Sequence, residues 1–460
     1  MSAVVQTPKN EVIAPATLLA IGVATRAVAF DRDGEITLST FLAHVRGLAA
    51  TLPDRPCALN LCEDRYRFLV AFCAVALRGQ TTLLPPSRTR AAIDEVRAQH
   101  PDSYCLGDGD ACGCEPLSPL PHYVRVPDVL PQRAGDAPHI DDDVPAAIGF
   151  TSGSTGKPAP NRKSWRGFRT SNAQNLAALA DLWPAGATPH IVATVPPQHM
   201  YGLELSVLLP LLGVAAVHRA RPFFPEDIAR ALREAHAHRL LVTTPVHLRA
   251  LVESDVALPP LAGIVSATAP LPRDLAIAAE ARFGCEVREL FGSTETCVIA
   301  RRRTACEEAW TPLHGVRLQP QPDGTLVHAA HLAAPVPLAD LVEVESDGRF
   351  RLCGRQSDLL EIAGKRASLG DLTRRLLTIK GVEDGVVFQL DAAAAGGVQR
   401  IAALVVAPTL DEDAILRALR AGIDPVFLPR RLKRVPALPR NDTGKLPRAA
   451  LLRLLQGSND

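Results

Sequence analysis

The chain has 460 residues, of which 47% are hydrophobic and only 4% aromatic, so its cores should be built mainly from Ala, Leu and Val. This length exceeds what one hydrophobic core usually supports, and at least two domains are expected. The formal net charge of +1 excludes bulk electrostatic attraction to nucleic acid. Ten cysteines in a chain this long do not indicate a disulfide framework.

The first 140 residues contain no motif with a chemical interpretation. Their apolar run at 12–25 is interrupted by Pro15 and follows Glu11, which argues against a secretory signal. The longest other apolar run, at 206–217, is too short to span a bilayer and contains Pro210. We therefore expect a soluble, cytoplasmic protein with no transmembrane segment.

A loop rich in glycine and hydroxyl groups follows the apolar run at 146–150, and its sequence is Thr151-Ser-Gly-Ser-Thr-Gly-Lys-Pro158. Its glycines let backbone N–H groups turn toward oxygen atoms, its hydroxyls donate hydrogen bonds, and Lys157 adds a positive charge. This chemistry suits the phosphates of ATP. The loop is not a Walker A motif, because Thr151 stands at the first glycine position and Pro158 at the magnesium-binding hydroxyl.

Between residues 146 and 291, short β-rich runs alternate with segments of helical length. Strands are predicted at 191–195, 215–218, 240–244 and 263–266, and helices at 202–212, 225–237, 246–253 and 272–283. This alternation predicts a mostly parallel sheet covered by helices on both faces, with ligands at the carboxyl ends of the strands. The loops at 151–158, 196–202, 266–270 and 289–296 should then meet in one cleft.

After Phe291 the alternation stops. Residues 325–353 have the pattern of short strands with a turn at 346–348. The tail beyond about 358 predicts further strands and one amphipathic helix. These elements lie at 385–390, 401–407 and 411–421.

Four motifs follow one another along the chain. They are the loop at 151–158, Glu289-Leu-Phe-Gly-Ser-Thr-Glu-Thr296, Gly354-Arg-Gln-Ser-Asp-Leu-Leu-Glu-Ile-Ala-Gly-Lys-Arg366 and Pro439-Arg-Asn-Asp-Thr-Gly-Lys-Leu-Pro-Arg448. In this order they resemble the adenylate-forming superfamily of acyl- and aryl-CoA synthetases, peptide-synthetase adenylation domains and luciferases. The resemblance covers the chain from about residue 140 onward.

The resemblance implies an α/β fold. A large N-terminal domain of helix-covered, mostly parallel sheets, with a small barrel-like subdomain, would span residues 1–354. A hinge would lie at 355–358, with Ser357 as the residue about which the small domain rotates. A small mobile α+β domain would occupy 359–460.

The implied reaction is attack of a carboxylate on the α-phosphate of ATP, which gives an acyl-adenylate and pyrophosphate. A pantetheine thiol of CoA or of an acyl carrier protein then takes the acyl group. The resemblance assigns Thr294 to the α-phosphate, Glu295 to Mg²⁺ and Lys445 to the bridge between carboxylate and α-phosphate. It assigns the β- and γ-phosphates to Thr151, Ser152, Gly153, Ser154, Thr155, Gly156 and Lys157.

The same resemblance implies an adenine site, a ribose site and a passage for the thiol arm. Adenine would stack on Phe291, beside Gly292 and Ser293, with Ala267, Thr268 and Ala269 on its other side. Asp340 and Arg355 would bind the ribose hydroxyls, and the pantetheine arm would pass Gly364. The chain departs from the family at two positions, since Ala159 and Glu361 stand where relatives commonly carry lysine. Lys163 is a candidate replacement for the first of these.

The acid pocket is assigned to His199, Tyr201 and Gly202, a pattern that resembles aryl-acid ligases more than acetate or long-chain enzymes. Size and composition also resemble compact ligases of bacterial aryl polyene and xanthomonadin-type pigment pathways, which load a hydroxybenzoate onto acyl carrier protein. Three alternatives stay open: a medium-chain fatty acyl ligase, a degenerate adenylate-binding protein, and a phosphotransferase that releases ADP. The missing Walker A motif counts against the last.

The C-terminal part of the chain is positively charged. Residues 358–460 hold 16 Lys and Arg against 12 Asp and Glu, and Arg430, Arg431, Lys433 and Arg434 lie close together. Because carrier proteins are acidic, this cluster is either a docking surface for one or a solvated basic face.

Overall fold

The computed structural model describes residues 16–109, 120–152, 158–236, 238–322, 324–355, 359–362, 365–390, 400–440 and 446–457. The elements before the phosphate loop are β1 (Ala16–Leu18), β2 (Ala27–Asp31), β3 (Gly34–Thr37), α1 (Leu38–Ala49), β4 (Cys57–Asn60), α2 (Arg65–Leu77), β5 (Thr81–Leu84), α3 (Arg90–Gln99), β6 (Tyr104–Gly107), β7 (Tyr123–Arg125), β8 (His139–Asp141) and β9 (Pro145–Ser152).

The central part of the chain follows. Its elements are β10 (Pro158–Ser164), α4 (Trp165–Leu179), β11 (His190–Ala193), α5 (Met200–Leu203), α6 (Leu209–Leu212), β12 (Ala216–His218), α7 (Pro225–Glu234), β13 (Arg239–Thr243), α8 (Pro245–Glu253), β14 (Gly263–Ser266), α9 (Arg273–Phe283), β15 (Val287–Ser293) and β16 (Cys297–Arg302). A 3₁₀ turn covers Ala180–Leu182, and a π-helical segment covers Glu204–Leu208.

The last part is richer in short strands. Its elements are β17 (Thr311–Pro312), β18 (Arg317–Gln321), β19 (Gly324–His328), β20 (Val336–Leu338), β21 (Asp340–Val344), β22 (Phe350–Arg355), β23 (Leu359–Ile362), β24 (Lys365–Ser368), α10 (Leu369–Leu377), β25 (Asp384–Leu390), β26 (Arg400–Val406), α11 (Glu412–Gly422), β27 (Arg431–Arg434) and α12 (Arg448–Gln456). A 3₁₀ turn covers Pro425–Phe427.

Two large sheets dominate the N-terminal part. The nine-stranded sheet has the order β17-β16-β15-β14-β13-β11-β12-β2-β3, and its six middle strands, from β15 to β2, are parallel. The six-stranded sheet has the order β10-β9-β5-β4-β6-β7 and is parallel except for β10. The predicted α/β fold of mostly parallel sheets covered by helices is confirmed.

The main core lies between these sheets, where side chains of α1, α2 and α4 meet those of the strands. Alternation along β14 shows why both faces are covered. Val265 points into this main core, whereas Ile264 packs into a second core under α7, α8 and α9. A strand buried on both faces has continuous apolar sequence, as in parallel sheets generally.

The predicted helix at 202–212 is helical throughout but is not a regular α-helix. The Leu209 N–H donates to the carbonyl of Glu204, five residues back, which is the π-helical pattern. Pro210 has no N–H for an α-helical bond, and the Ser206 hydroxyl donates to the Gly202 carbonyl at 2.5 Å. Such π segments are frequent at functional sites.

The prediction of a barrel-like subdomain is wrong. Residues 317–355 form a three-stranded sheet, β18-β19-β20, and a separate hairpin, β21-β22, and the described part of the chain contains no closed barrel. The two outer strands of the three-stranded sheet carry Pro320 and Pro337, which lack the N–H that further pairing requires. Proline on an edge strand disfavours the addition of a further strand.

The C-terminal part forms its own α+β unit. Strands β25, β26 and β27 make one sheet with β27 at its edge, and α10, α11 and α12 pack on it. The predicted strands near 385–390 and 401–407 and the helix over 411–421 are present to within a few residues. None of the helices in the described ranges combines the length and hydrophobicity that crossing a bilayer requires.

Candidate active site

The residues predicted for the acid pocket lie at one edge of the nine-stranded sheet, where its parallel strands end. β11, β13 and β14 are parallel neighbours, so the loops after them leave the same edge. Tyr201 on α5 reaches the ends of two of these strands, since its buried hydroxyl lies 2.9 Å from the Val265 carbonyl and 3.3 Å from that of Thr243. The hydroxyl is therefore engaged with backbone, and its ring is the part that can face an acid.

A buried arginine binds the backbone at the start of the loop that leads into α5. The Arg65 guanidinium donates at 2.8 Å to the carbonyls of both Ala193 and Val195, and it also donates to the Ser206 hydroxyl. Burial lowers the pKa of Arg65 to about 9, which still leaves it charged at neutral pH. This one side chain thus ties the start of the loop to the π-helical segment beyond it.

Gly202 is required in this loop. A methyl group placed on it would lie 2.0 Å from the Pro196 carbonyl oxygen, so no side chain fits there. The tight approach places His199 at the N-cap of α5, where it is half-buried.

The turn between β15 and β16 carries Thr294 and Glu295. Ser293 and Thr296 close it reciprocally, because each backbone N–H donates to the other's hydroxyl, at 3.1 and 3.2 Å. Thr294 and Glu295 lie half-buried at the tip. Within the described residues neither side chain forms a hydrogen bond or an ion pair, so both are available to a ligand.

The six-stranded sheet meets this turn at Gly149 on β9. A methyl group on Gly149 would lie 2.8 Å from Thr294 Cγ2 and 3.4 Å from Met200 Cε. Three elements therefore converge at one point. They are strand β9, which leads to the predicted phosphate loop, helix α5 of the predicted acid pocket, here called the acid-pocket helix, and the turn between β15 and β16. Thr151 and Ser152 end β9 beside it, with Ser152 opposite Pro158 on β10.

Buried side chains from other elements bind the backbone of the turn between β15 and β16. Lys163 Nζ donates to the Glu295 carbonyl at 2.5 Å, His331 Nε2 lies 2.7 Å from the Thr296 carbonyl, and Glu204 accepts the Val298 N–H at 3.0 Å. Burial raises the pKa of Glu204, opposed by hydrogen bonds from the Ser171 hydroxyl and Asn175 and by the charge of Lys163. Burial also lowers the pKa of His331.

The predicted adenine wall after β14 is strained. Thr268 has φ of 81°, a left-handed conformation that β-branched residues rarely adopt. Its hydroxyl is buried and finds no hydrogen-bond partner among the described groups. Ala267 beside it is buried and Ala269 half-buried. Strain and an unsatisfied polar atom together are typical of a functional site.

On the facing side, the Phe291 ring is half-buried and tilts against Trp310 and Phe350, with ring centroids 5.4 and 6.1 Å away. Gly292 follows it on β15 and is exposed. The two residues predicted to bind ribose are brought together, because Asp340 on β21 pairs directly with Arg355 on β22.

Other predicted positions lie outside the described residues and stay predictions. These are Gly153, Ser154, Thr155, Gly156 and Lys157 of the phosphate loop, Ser357 at the hinge, Gly364 and Lys445.

Sequence reasoning did not assign Arg65, Glu204 or His331. Glu204 is the single charged residue of an apolar helical segment, and Arg65 is one of two arginines in the first turn of the otherwise apolar helix α2. Since a buried charge needs specific partners, both residues could have been singled out from the sequence. His331 lies in an irregular stretch that offers no periodicity. Lys163, the candidate replacement for the missing phosphate-loop lysine, donates to the backbone of the turn, at the Glu295 carbonyl.

Comparison with known proteins decides the family. Residues 25–330 match the family described as AMP-binding enzyme. The chain belongs to this family. The 4-coumarate–CoA ligase of Rhodobacter capsulatus is 31% identical over 303 residues, 65% of this chain and 74% of that protein. The sulfoacetate–CoA ligase of Cupriavidus necator is 28% identical over 438 residues and 83% of each chain.

A solved structure shows the same fold over nearly the whole length. The o-succinylbenzoate coenzyme A synthetase of Bacillus subtilis, in complex with ATP and magnesium ion, superimposes with a TM-score of 0.77 at 16% identity. The match covers 92% of this chain and 95% of that one. The predicted membership of the adenylate-forming superfamily, as an AMP-forming acid–thiol ligase, is confirmed. The narrower resemblance to pigment-pathway ligases stays a prediction.

A methyl group at Gly149 should displace the turn between β15 and β16 while its functional side chains, Thr294 and Glu295, are kept. Gly149→Ala forces the Thr294 side chain to move, and a displacement of about 1 Å in a catalytic group can lower turnover on the order of 100-fold. We expect a loss of about 10- to 100-fold in ATP–pyrophosphate exchange. Gly109→Ala is the matched control, because a methyl group there meets nothing within 4 Å among the described residues. Equal rates for both variants would show that Thr294 lies away from the reacting phosphate.

Proposed function

We propose that this AMP-binding enzyme activates an aryl carboxylic acid, such as a hydroxybenzoate, as its acyl-adenylate and then transfers the acyl group to a pantetheine thiol. One observation carries the proposal. The side chains of Thr294 and Glu295 are unengaged within the described structure, at the tip of a braced turn that meets both β9 and the acid-pocket helix. A phosphate and a carboxylate brought there would lie next to each other.

In the first step a carboxylate oxygen forms a bond to the α-phosphorus of ATP, and the bond from that phosphorus to the leaving pyrophosphate breaks. Negative charge gathers where the two anions meet, so the protein must supply positive charge and hydrogen-bond donors. Thr294 donates to an α-phosphate oxygen, and the phosphate loop at 151–157 binds the outer phosphates. In the second step the thiol sulfur bonds the acyl carbon, AMP leaves, and the thiol proton is released.

The residues present fit a magnesium ion that is held jointly with the nucleotide. Glu295 offers a half-buried carboxylate without a protein partner in the described ranges, and carboxylate oxygen is a preferred ligand of this ion. The described residues contain no cluster of three ligands that would hold a metal by themselves. When bound, the ion neutralises phosphate charge during the displacement.

The aryl preference rests on the pocket loop and on the relatives. Met200 and Tyr201, both buried on α5, would give an acid an apolar and aromatic wall, and His199 at the N-cap of α5 is the residue we assign to close over the acid. One relative is a 4-coumarate ligase, but another acts on sulfoacetate, a small non-aromatic acid. A medium-chain fatty acid is the alternative substrate, and a degenerate adenylate-binding protein is the alternative class.

A panel of acids separates these possibilities. ATP–pyrophosphate exchange would be measured with 3- and 4-hydroxybenzoate, benzoate, cinnamate, 4-coumarate, sulfoacetate, acetate and octanoate, each with and without Mg²⁺. We expect Mg²⁺-dependent exchange with the aryl acids only, because the pocket wall is aromatic and apolar. Exchange with octanoate alone would contradict the aryl assignment, and no exchange with any acid would favour a degenerate binder.

Lys445 is proposed as the catalytic lysine of the first step. Its position in the Pro-Arg-x-x-x-Gly-Lys-x-x-Arg pattern is the support, and Ser357 and Gly364 are proposed as the hinge and the passage of the thiol arm. Lys445→Ala should abolish pyrophosphate exchange, because the charge between the two anions is lost. It should leave chemically prepared acyl-adenylate reactive with thiol. Lys380→Ala, at an exposed lysine, is the control, and persistent exchange in Lys445→Ala would contradict the role.

For the thiol acceptor we propose an acyl carrier protein, with CoA as the alternative. Arg430, Arg431 and Arg434 are exposed at or beside the edge strand β27, where a negatively charged surface can approach. Lys433 is less available, since its Nζ donates to the Leu454 carbonyl at 2.6 Å. Charges on an edge strand also protect it from pairing with other chains, which is the competing explanation.

Charge reversal tests the docking surface. The double variant Arg430→Glu and Arg431→Glu should slow carrier-protein loading about 10-fold at low salt, since charge reversal repels an acidic partner. Exchange and transfer to CoA should not change, because neither step is assigned to Arg430 or Arg431. Lys380→Glu, compared with each single variant Arg430→Glu and Arg431→Glu, provides a charge-matched control in the same domain. Equal loss of loading and exchange would indicate misfolding, and no loss of loading would contradict docking here.

A further inference from the structure

The turn that carries Thr294 and Glu295 is held by more than its own hairpin. The β15–β16 ladder and the Ser293–Thr296 pair already close it. Nevertheless three side chains from separate parts of the chain bind its backbone at residues 295, 296 and 298. They are Lys163 on β10, His331 between β19 and β20, and Glu204 in the π-helical segment, here called the turn clamp.

All three side chains are nearly inaccessible. Lys163 is 8% exposed, Glu204 1% and His331 7%. Burying a lysine and a carboxylate costs free energy that a surface turn would avoid by letting water bind the same carbonyl and N–H groups. The contacts of the clamp fix where the backbone of the turn lies.

Burial raises the pKa of Glu204, and this rise is opposed by its hydrogen bonds and, to the smallest extent, by the charge of Lys163. Lys163 and Glu204 bind different backbone groups of the same turn, the Glu295 carbonyl and the Val298 N–H.

Glu204 also ties the turn to the acid pocket. It begins the π-helical segment directly after α5, the helix that carries Tyr201 and follows His199. Its second oxygen accepts from Asn175 and from Ser171 on α4, so its position is set by a third element as well. A displacement of the acid-pocket helix would thus reach the backbone of the turn through a single side chain.

We propose that Lys163, Glu204 and His331 are positioning residues for the adenylation step. Through the carbonyls of residues 295 and 296 and the N–H of residue 298, they hold the Glu295 carboxylate and the Thr294 hydroxyl at the place where the α-phosphorus of ATP would be attacked and pyrophosphate would leave. The proposal rests on the function proposed above. Groups that orient a metal ligand typically change metal affinity or activity about 10- to 100-fold when they are removed.

The first test compares Lys163→Met, which keeps length and loses charge, with Lys163→Arg, which keeps charge and donors, and with Lys380→Met as an exposed control. We expect Lys163→Met to lower kcat of pyrophosphate exchange about 10- to 100-fold and to raise the Mg²⁺ concentration for half-maximal rate. The KM for the acid and the affinity for AMP without Mg²⁺ should change little. Lys163→Arg should recover most of the rate.

Calorimetry adds a readout that does not depend on turnover. Mg²⁺ should strengthen ATP binding to the wild-type enzyme much more than to Lys163→Met, since only the former holds Glu295 in place. If the wild-type enzyme exchanges with no acid, the proposed function fails, and this Mg²⁺-dependent difference in ATP affinity still tests the clamp. A Lys163→Met variant with lower Tm but unchanged kcat and Mg²⁺ dependence would overturn the positioning role.

A double-mutant cycle tests whether the clamp acts as one unit. Lys163→Met and Glu204→Gln should each slow exchange, and the double variant should lose much less than the product of the two effects, because both loosen the same turn. Glu204→Gln is nearly isosteric and keeps an acceptor for the Val298 N–H, so it is expected to fold. Independent, multiplicative effects on exchange would contradict the shared action.

Discussion

The packing of the six-stranded sheet against the nine-stranded sheet is the constraint on which the candidate site depends. The two sheets share one apolar core, and that core brings β9 against the end of β15. At the contact only a glycine fits, since a methyl group on Gly149 would press on Thr294. Because closely packed interiors do not yield easily, the strand that enters the phosphate loop has a fixed position relative to the turn.

Apolar packing places the loops and turns of the candidate site approximately, and buried polar side chains then fix their backbone positions. Arg65 anchors the loop that leads to the acid-pocket helix, and the turn clamp anchors the hairpin tip. Each of these groups is costly to bury unless its hydrogen bonds are satisfied, so each has a restricted geometry. The two sets meet in the π-helical segment, where Ser206 receives a hydrogen bond from Arg65 and Glu204 binds the turn. Preorganisation of this kind suits a reaction in which two anions must be held together.

Much of the fold was predictable because it follows from local patterns. Apolar runs of strand length and segments of helical length alternate from 191 to 283, and parallel order follows from that alternation. The small barrel was not predictable in the same way. Short strands with similar patterns can pair in several arrangements, and local sequence does not say which one forms. Pro320 and Pro337 lie on the two edge strands of the three-stranded sheet, where proline is tolerated. The π-helical segment likewise reflects Pro210 and a hydroxyl bond that periodicity does not reveal.

The sequence by itself determined the family and proposed the chemical groups, since four motifs in fixed order contain the predicted phosphate loop, Thr294, Glu295 and Lys445. Only the tertiary structure decided how the turn is held. Lys163, Glu204 and His331 are separated by up to 168 positions, and nothing local in the chain relates them to residues 295–298. Motifs and periodicity report interactions between near neighbours, whereas these contacts exist only after two sheets have packed together.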